Sequence, residues 1–400
     1  MKKEFLDLGQ QPIANGFLYQ EEIKDEYFFH LKVGFDEETK LVTQLEYVDP
    51  PLMFNENYAY RGSMSQTMLK HFANLSSDLQ YQLPQYPFYK REEPKVLEIG
   101  SNDGVFLKNW NRGSTIAVEP CSNFAEMTNK MGYKTYAEFW DRELAEEIRK
   151  SHGKMDLIFA ANCICHIPDL DETFIAIRNL LSDDGVFIFE DPSLAGMINN
   201  NSYDQIYDEH PHIFSVIALN NILQKNGLSI IKVENLSVHG GSNRLWVQKT
   251  EDAKYEDLSV EQNLQYERIL GLDKLETFEI FAKKVNQSKE DLVRILHKCK
   301  EENKKVISYG ATSKSTTIFN FCEIGPELIE CITDTTPDKQ GKLSPGMHIP
   351  IISPEVGFDH TVDYAFLGAW NFLKEISKKE SAFLDKGGKF ITHVPAVKFV

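Results

Sequence analysis

Residues 96–104 run Val-Leu-Glu-Ile-Gly-Ser-Asn-Asp-Gly, and no other stretch restricts the fold as much. Positions 96–99 form an apolar run holding a single acid, the pattern of a buried parallel strand that stops at a glycine. Gly100 and Gly104 bracket a polar turn, and an apolar pattern at helical spacing resumes over 105–110. Strand, glycine turn and helix together hold ligands, because the turn amides and the helix N-terminus face the strand's carboxyl end. The spacing is not the Gly-x-Gly-x-x-Gly of dinucleotide sites. Glu98, inside the strand end, would repel a pyrophosphate and suits a ligand with a positive centre.

A second strand, Thr115-Ile116-Ala117-Val118, closes on Glu119, where a carboxylate can accept both hydroxyls of a ribose. In this order and at this spacing the elements resemble the S-adenosylmethionine (SAM) site of class I methyltransferases. The resemblance implies a doubly wound α/β sheet with SAM as cofactor. It places Glu98, Gly100, Ser101, Asn102, Asp103, Gly104, Glu119 and Pro120 around the ligand. Phe139 stands after the third strand, where it would cover an adenine ring, and Asn162 and Ile164 follow the fourth strand and complete the set.

Four hundred residues exceed one ordinary core. The reading divides them into a small N-terminal substrate-binding module (1–75), a SAM-binding domain (76–250) and a C-terminal Rossmann-like α/β lid (251–400). Forty-three basic against sixty acidic residues leave a net charge of −17, which argues against nucleic acid or a membrane surface as partner. Local basic groups can still hold a phosphate. No apolar stretch reaches transmembrane length, and the first residues lack a signal-peptide core. Six cysteines without metal-type spacing read as reduced thiols of a cytoplasmic protein. A small-molecule acceptor and a monomer or small homo-oligomer are expected.

In the first domain, residues 6–15 look turn-rich, 27–33 and 40–47 like strands, and 64–79 like an amphipathic helix ended by Pro84 and Pro87. Between them Tyr58 and Tyr60 stand beside Arg61, Ser63 and Ser65, a set suited to a phosphorylated sugar, although such tyrosines also merely pack. In the central domain the strand at 155–160 leads to His166, a site candidate at a strand end or a cap of the next helix. An insertion after the strand at 186–190 contains Tyr207-Asp208-Glu209-His210-Pro211-His212. A carboxylate next to an imidazole raises its basicity and fixes its tautomer, which makes His210 a general base; the bland reading is a solvated loop. A hairpin over 228–247 closes the domain, and its loop (His239, Gly241, Ser242, Arg244) permits close approach to a ligand. The C-terminal region opens with two charged helices at 264–272 and 292–303, read as solvated connectors. A second, smaller sheet follows. Its loop Gly310-Ala311-Thr312-Ser313-Lys314-Ser315 is similar to a phosphate cradle but lacks Walker spacing, so Lys314 is assigned to a phosphate or sugar rather than to ATP.

These motifs, with Leu-Gly-Gln-Gln-Pro-Ile-Ala-Asn at 8–15, resemble the C-methyltransferases of nucleotide-linked deoxysugars over nearly the whole chain. The resemblance implies methyl transfer from SAM to a carbon beside a ketone. His210 would be the base, with Tyr207, Glu209, His166, Tyr58 and Tyr60 around it. Two departures stand out. Members of that family carry a cysteine-bound zinc in the N-terminal module, but no cysteine precedes Cys121 here, and 34–40 occupy the place of a Cys-x-x-Cys pair. No metal is therefore expected. The segment Asp208-Glu209-His210-Pro211-His212 also replaces the usual His-Glu-His and aromatic. An O- or N-methyltransferase of a related small molecule and a catalytically inactive scaffold remain open as alternatives.

Overall fold

A computed structural model describes residues 2–86 and 93–400. Leu6 and Leu8 are buried with Asp7 exposed between them, and this alternation makes Lys2–Pro12 a strand, β1, not the irregular opening expected. Two register shifts and a left-handed Gly9 break the period and hide the strand from pattern reading. β2 (Phe28–Asp36) and β3 (Val42–Gln44) extend the sheet antiparallel.

The central sheet follows as β4 (Val96–Ile99), β5 (Thr115–Val118), β6 (Lys134–Tyr136), β7 (Met155–Ala161) and β8 (Leu181–Pro192). β9 (His212–Ile213) leaves this sheet and pairs with β3 as the fourth strand of the N-terminal one. β10 (Leu228–Leu236) and β11 (Ser242–Lys249) return as a hairpin. The order is β10-β11-β8-β7-β4-β5-β6, and β11 alone runs against the rest. The chain reverses its winding at β4, which lies between β5 and β7. A crevice therefore opens at the carboxyl end of β4.

No helix forms over 105–110; a single 3₁₀ turn at Leu107–Asn109 takes its place. Phe106 and Trp110 instead pack beneath the upstream helix Gln66–Gln82, whose Met68, Phe72, Leu75 and Leu79 cover Leu157, Phe159 and Ile188 of the central sheet. The boundary expected at 75 falls inside this helix. Pro84 sits in the turn that ends it, and Pro87 lies outside the described residues.

The third sheet comprises β12 (Val306–Tyr309), β13 (Ile332–Thr333), β14 (Ile351–Ile352), β15 (Tyr364–Leu367), β16 (Lys389–Thr392) and β17 (Lys398–Phe399). Its order is β14-β13-β12-β15-β16-β17, and its winding reverses at β12. The sheet is reached through helix Leu275–Glu301, which is no solvated connector. Phe278, Phe281, Val285, Leu292 and Leu296 are buried along one stripe of it, in the same core as Leu6, Leu8, Val33 and Phe35. Phe278 meets the rings of Phe5 and Phe35 at 5.2 and 4.9 Å.

Phe278→Ala should lower unfolding stability by about 3–5 kcal/mol, the cost of a large cavity where first and last domains meet. Urea denaturation checks this, and an effect below about 1 kcal/mol would mean that the two domains do not share a core.

Candidate active site

The carboxyl ends of the central and C-terminal sheets both open on one cavity of about 790 Å³. At the central sheet Glu98 ends β4 and Glu119 follows β5, and both are buried beside Asp103. Burial first, then the like charges of Glu119 and Asp103, push the Glu98 carboxyl well above its ordinary range. One oxygen of Glu98 and one of Asp103 are buried without a hydrogen-bond partner. Glu119 accepts from the amides of Asn102 at 2.7 Å and Cys121 at 2.8 Å, which orients it into the same lobe. Gly100 is left-handed, and a Cβ there would stand 2.6 Å from the Cys163 sulfur. Phe139 is half exposed and lines the cavity with Pro120, Ser101 and Asn162. An acidic lobe with orphaned oxygens, a close glycine approach and an aromatic flank fits a cationic adenosyl ligand.

The other lobe is built by the insertion. His210 Nδ1 lies 2.7 Å from the Gln205 carbonyl, which can only accept, so that nitrogen carries the hydrogen. Nε2 is then the lone-pair nitrogen and accepts from the Tyr207 hydroxyl at 2.9 Å. Burial lowers the His210 pKa to about 4. The neighbouring carboxylate does not raise it, contrary to expectation, because Glu209 points elsewhere: it accepts from Asn15 at 2.5 Å and from the Tyr58 hydroxyl at 2.9 Å. The His166 ring stacks between Phe54 and His210, and its buried Nε2 has no partner. Burial holds His166 neutral too. The N-terminal module fixes this turn from outside: Gln44 donates to the carbonyls of Tyr207 and His210, and the Ala14 amide donates to Asp208.

From the C-terminal sheet the cavity receives Thr312, Ser313 and Lys314, at the start of helix Ser313–Cys322. Burial lowers the Lys314 pKa, opposed by Asp204, and its ammonium has no hydrogen-bond partner. Lys339, 8% exposed, joins it and donates to the Ala311 carbonyl at 2.7 Å.

Tyr60, Arg61, Ser65 and His239 also line the cavity. Six expected residues do not. Arg244 is held by Glu190 at 2.6 Å and Glu234 at 2.9 Å, which consumes its guanidinium in the sheet. Ile164 is fully buried in the core, and Gly104 packs against Thr128. Ser63 offers its amide to Asp103, Gly241 its carbonyl to Ser193, and the Ser242 hydroxyl bonds to Val238, all within the fold. Asn15, Gln44 and Lys339 were not foreseen. Only Lys339 had a signal: the rule that places ligands at strand ends, applied to the second sheet, points to the loop after β13.

A seven-stranded sheet with one reversed strand, whose switch point carries this acidic lobe, defines a class I SAM-dependent methyltransferase. Family models agree: "Methyltransferase domain" matches residues 70–233 and "C-methyltransferase C-terminal domain" matches 237–395. The chain is 30% identical to the C-methyltransferase NovU of Streptomyces niveus, over 99% of this chain and 94% of that one. It belongs to this family of SAM-dependent C-methyltransferases. Among solved structures, the magnesium protoporphyrin IX methyltransferase of Synechocystis with bound SAM matches at TM-score 0.33 and 12% identity, over 45% of this chain and 80% of that one. The CurJ carbon methyltransferase matches at TM-score 0.35 and 15% identity, over 50% and 61%.

A third family model, of a zinc-binding domain, matches residues 1–54. The residues present do not fit the metal, for no cysteine precedes Cys121. Among the described residues, no group of three His, Cys, Asp or Glu donors close enough to share an ion lies in this module.

Glu119→Ala should weaken binding of S-adenosylhomocysteine (SAH) by roughly 1.5–3 kcal/mol, the scale of lost charge-assisted bonds. Calorimetry measures it, and an unchanged dissociation constant would take the ribose away from Glu119.

Proposed function

We propose that the acceptor is a nucleotide-linked keto-deoxysugar, methylated at a carbon whose proton is removed to form an enolate. The observation that carries this reading is the His210–Tyr207 pair: a neutral imidazole, its tautomer fixed by a carbonyl, with its lone pair in the cavity that the acidic lobe shares. A carbon beside a ketone is no nucleophile until it loses a proton, so such chemistry needs a base of this kind. His210 takes the proton at Nε2. The Tyr207 hydroxyl, released from that nitrogen, donates to the enolate oxygen, and Tyr58 holds Glu209 away from the developing anion. Bound SAM supplies a methyl group on a sulfonium as the electrophile. Glu98, Asp103 and Glu119 favour its positive charge, and the walls around His166 and Phe54 exclude water.

The anionic part of the acceptor accounts for the other sheet. Lys314 and Lys339 are buried cations in a chain of net charge −17, and they sit at the mouth of a second switch point. A phosphate of the nucleotide, resting there, places the sugar between the two sheets. The family resemblance supports the same acceptor class. Six free cysteines accord with a reducing cytoplasm, and no helix among the described residues is long and apolar enough to cross a membrane.

The test is solvent-deuterium exchange into a dTDP-4-keto-6-deoxyhexose in the absence of SAM. Wild type should incorporate deuterium at the carbon that is later methylated, and His210→Gln should lose both exchange and turnover by about 10²–10⁴-fold. Methyl transfer without any exchange would instead point to an oxygen or nitrogen acceptor. The pH profile gives a second check. A base must be neutral to act, and the His210 pKa is lowered to about 4, so kcat/KM should hold on the acid side until the pH nears 4. An acid limb with a midpoint at the ordinary histidine value of about 6.5 would remove His210 from the role.

A further inference from the structure

Asn102 and Asp103, expected only to line the cofactor, also bond the tyrosine loop with their side chains. Asn102 accepts the Gly62 amide at 3.0 Å and donates to the Tyr60 carbonyl at 3.0 Å. Asp103 accepts the Ser63 amide at 3.1 Å. Gly62 lies so close that a Cβ added there would stand 3.2 Å from Val105. Three bonds therefore tie the backbone of 60–63 to the glycine turn, a loop contact spanning forty residues of sequence.

The Asn102 backbone faces the other way. It is left-handed, at φ +47°, and its amide donates to Glu119. One residue thus bonds the ribose acid through its backbone and the tyrosine loop through its side chain. The path continues from that loop, through the Tyr58 hydroxyl to Glu209, next to His210 in the chain. Apart from these bonds, 55–61 forms no helix or strand; a turn at Asn55, the ring contacts of Tyr58 with Phe54 and Phe124 and an exposed Arg61–Asp338 pair at 3.3 Å hold it, and Tyr60 is half exposed.

We infer that Asn102 is a positioning residue which couples the two halves of the site, so that filling the adenosyl lobe orders the acceptor loop 58–63. An adenosyl ligand that bonds Glu119 fixes the carboxylate, hence the Asn102 amide, hence the side-chain bonds that hold Tyr60 and Gly62. The acceptor loop is then formed only when a methyl donor or its product is present. This rests on the assignment of loop 58–63 to the acceptor, but its test needs no acceptor.

Hydrogen–deuterium exchange of the full chain, with and without SAH, reads the coupling, each protein being measured at about ten times its own dissociation constant. In wild type, SAH should slow exchange of the Gly62 and Ser63 amides, the two donors to the glycine turn, by about tenfold, as well as that of the Glu119 strand. Asn102→Gly keeps a left-handed backbone and the amide to Glu119 while removing both side-chain bonds. In this variant SAH should still protect 115–121, which shows that it is folded and occupied, but no longer 60–63. Protection of 60–63 that survives in Asn102→Gly overturns the inference. So does SAH binding to wild type without protection of that loop, which leaves the cofactor assignment intact. Failure of wild type to bind SAH at all overturns both.

Discussion

Three carboxyl groups crowd the carboxyl ends of two adjacent strands, and the rest of the active site follows from that arrangement. Glu98, Asp103 and Glu119 are buried; burial and then the charges of Glu119 and Asp103 push Glu98 up, and burial, with Asp103 adding to it, pushes Glu119 up. Natural chains keep such a cluster only where something compensates it. Backbone amides do so in part at Glu119, while the free oxygens of Glu98 and Asp103 are left for a ligand. A sulfonium meets that need better than a neutral ligand, because it cancels charge where amides only solvate it. If these acids hold the donor, they also account for product release: once the methyl has gone, the positive charge that they hold has gone with it.

The N-terminal module shows how a fold similar to a zinc-binding domain stands on apolar packing. A zinc site stabilises a small domain that cannot build a sufficient core. Here 1–54 is no small isolated domain, because its sheet is completed by β9 from the central insertion and covered by helix Leu275–Glu301. Phe278 between Phe5 and Phe35 supplies apolar burial in a core drawn from both ends of the chain. One consequence is functional. The strand pair that replaces independent folding also delivers Gln44 to the carbonyls of Tyr207 and His210, so the N-terminal module fixes the turn that carries the proposed base.

What the sequence made legible was local and periodic. β4, β5 and β7 are short, mainly apolar runs, and Glu98 near the end of the first and Glu119 just after the second are visible because they break the apolar pattern. β1 was missed because bulges destroy its alternation. The burial of helix Leu275–Glu301 was missed because its apolar stripe is interleaved with charges, and charge was read as solvation. The pairing of Glu209 with His210 failed for a geometric reason: adjacent residues in a turn point apart, so sequence neighbours are poor candidates for contact. Asn15 reaches the cavity from a distant segment, and no local pattern announces a contact made by tertiary folding alone, whereas Lys339 lies where the strand-end rule, applied to the second sheet, points.

A low pKa at the proposed base, His210, looks at first like a handicap, since a weak base is a poor proton acceptor. Desolvation causes it, and desolvation acts on every group in the same space. The lysines at the second switch point are also pulled toward neutrality, so an anion arriving beside Lys314 or Lys339 gains more there than it would in water. In that setting the proton is driven less by the strength of the imidazole than by the stabilisation of the anion left behind. Under the proposed mechanism, burial between two switch points therefore trades basicity, which water would supply, for oxyanion stabilisation, which water would weaken. Methylation at a carbon beside a ketone requires that exchange more than oxygen or nitrogen methylation does, because such a carbon has no lone pair and attacks only after its proton has gone to give the enolate.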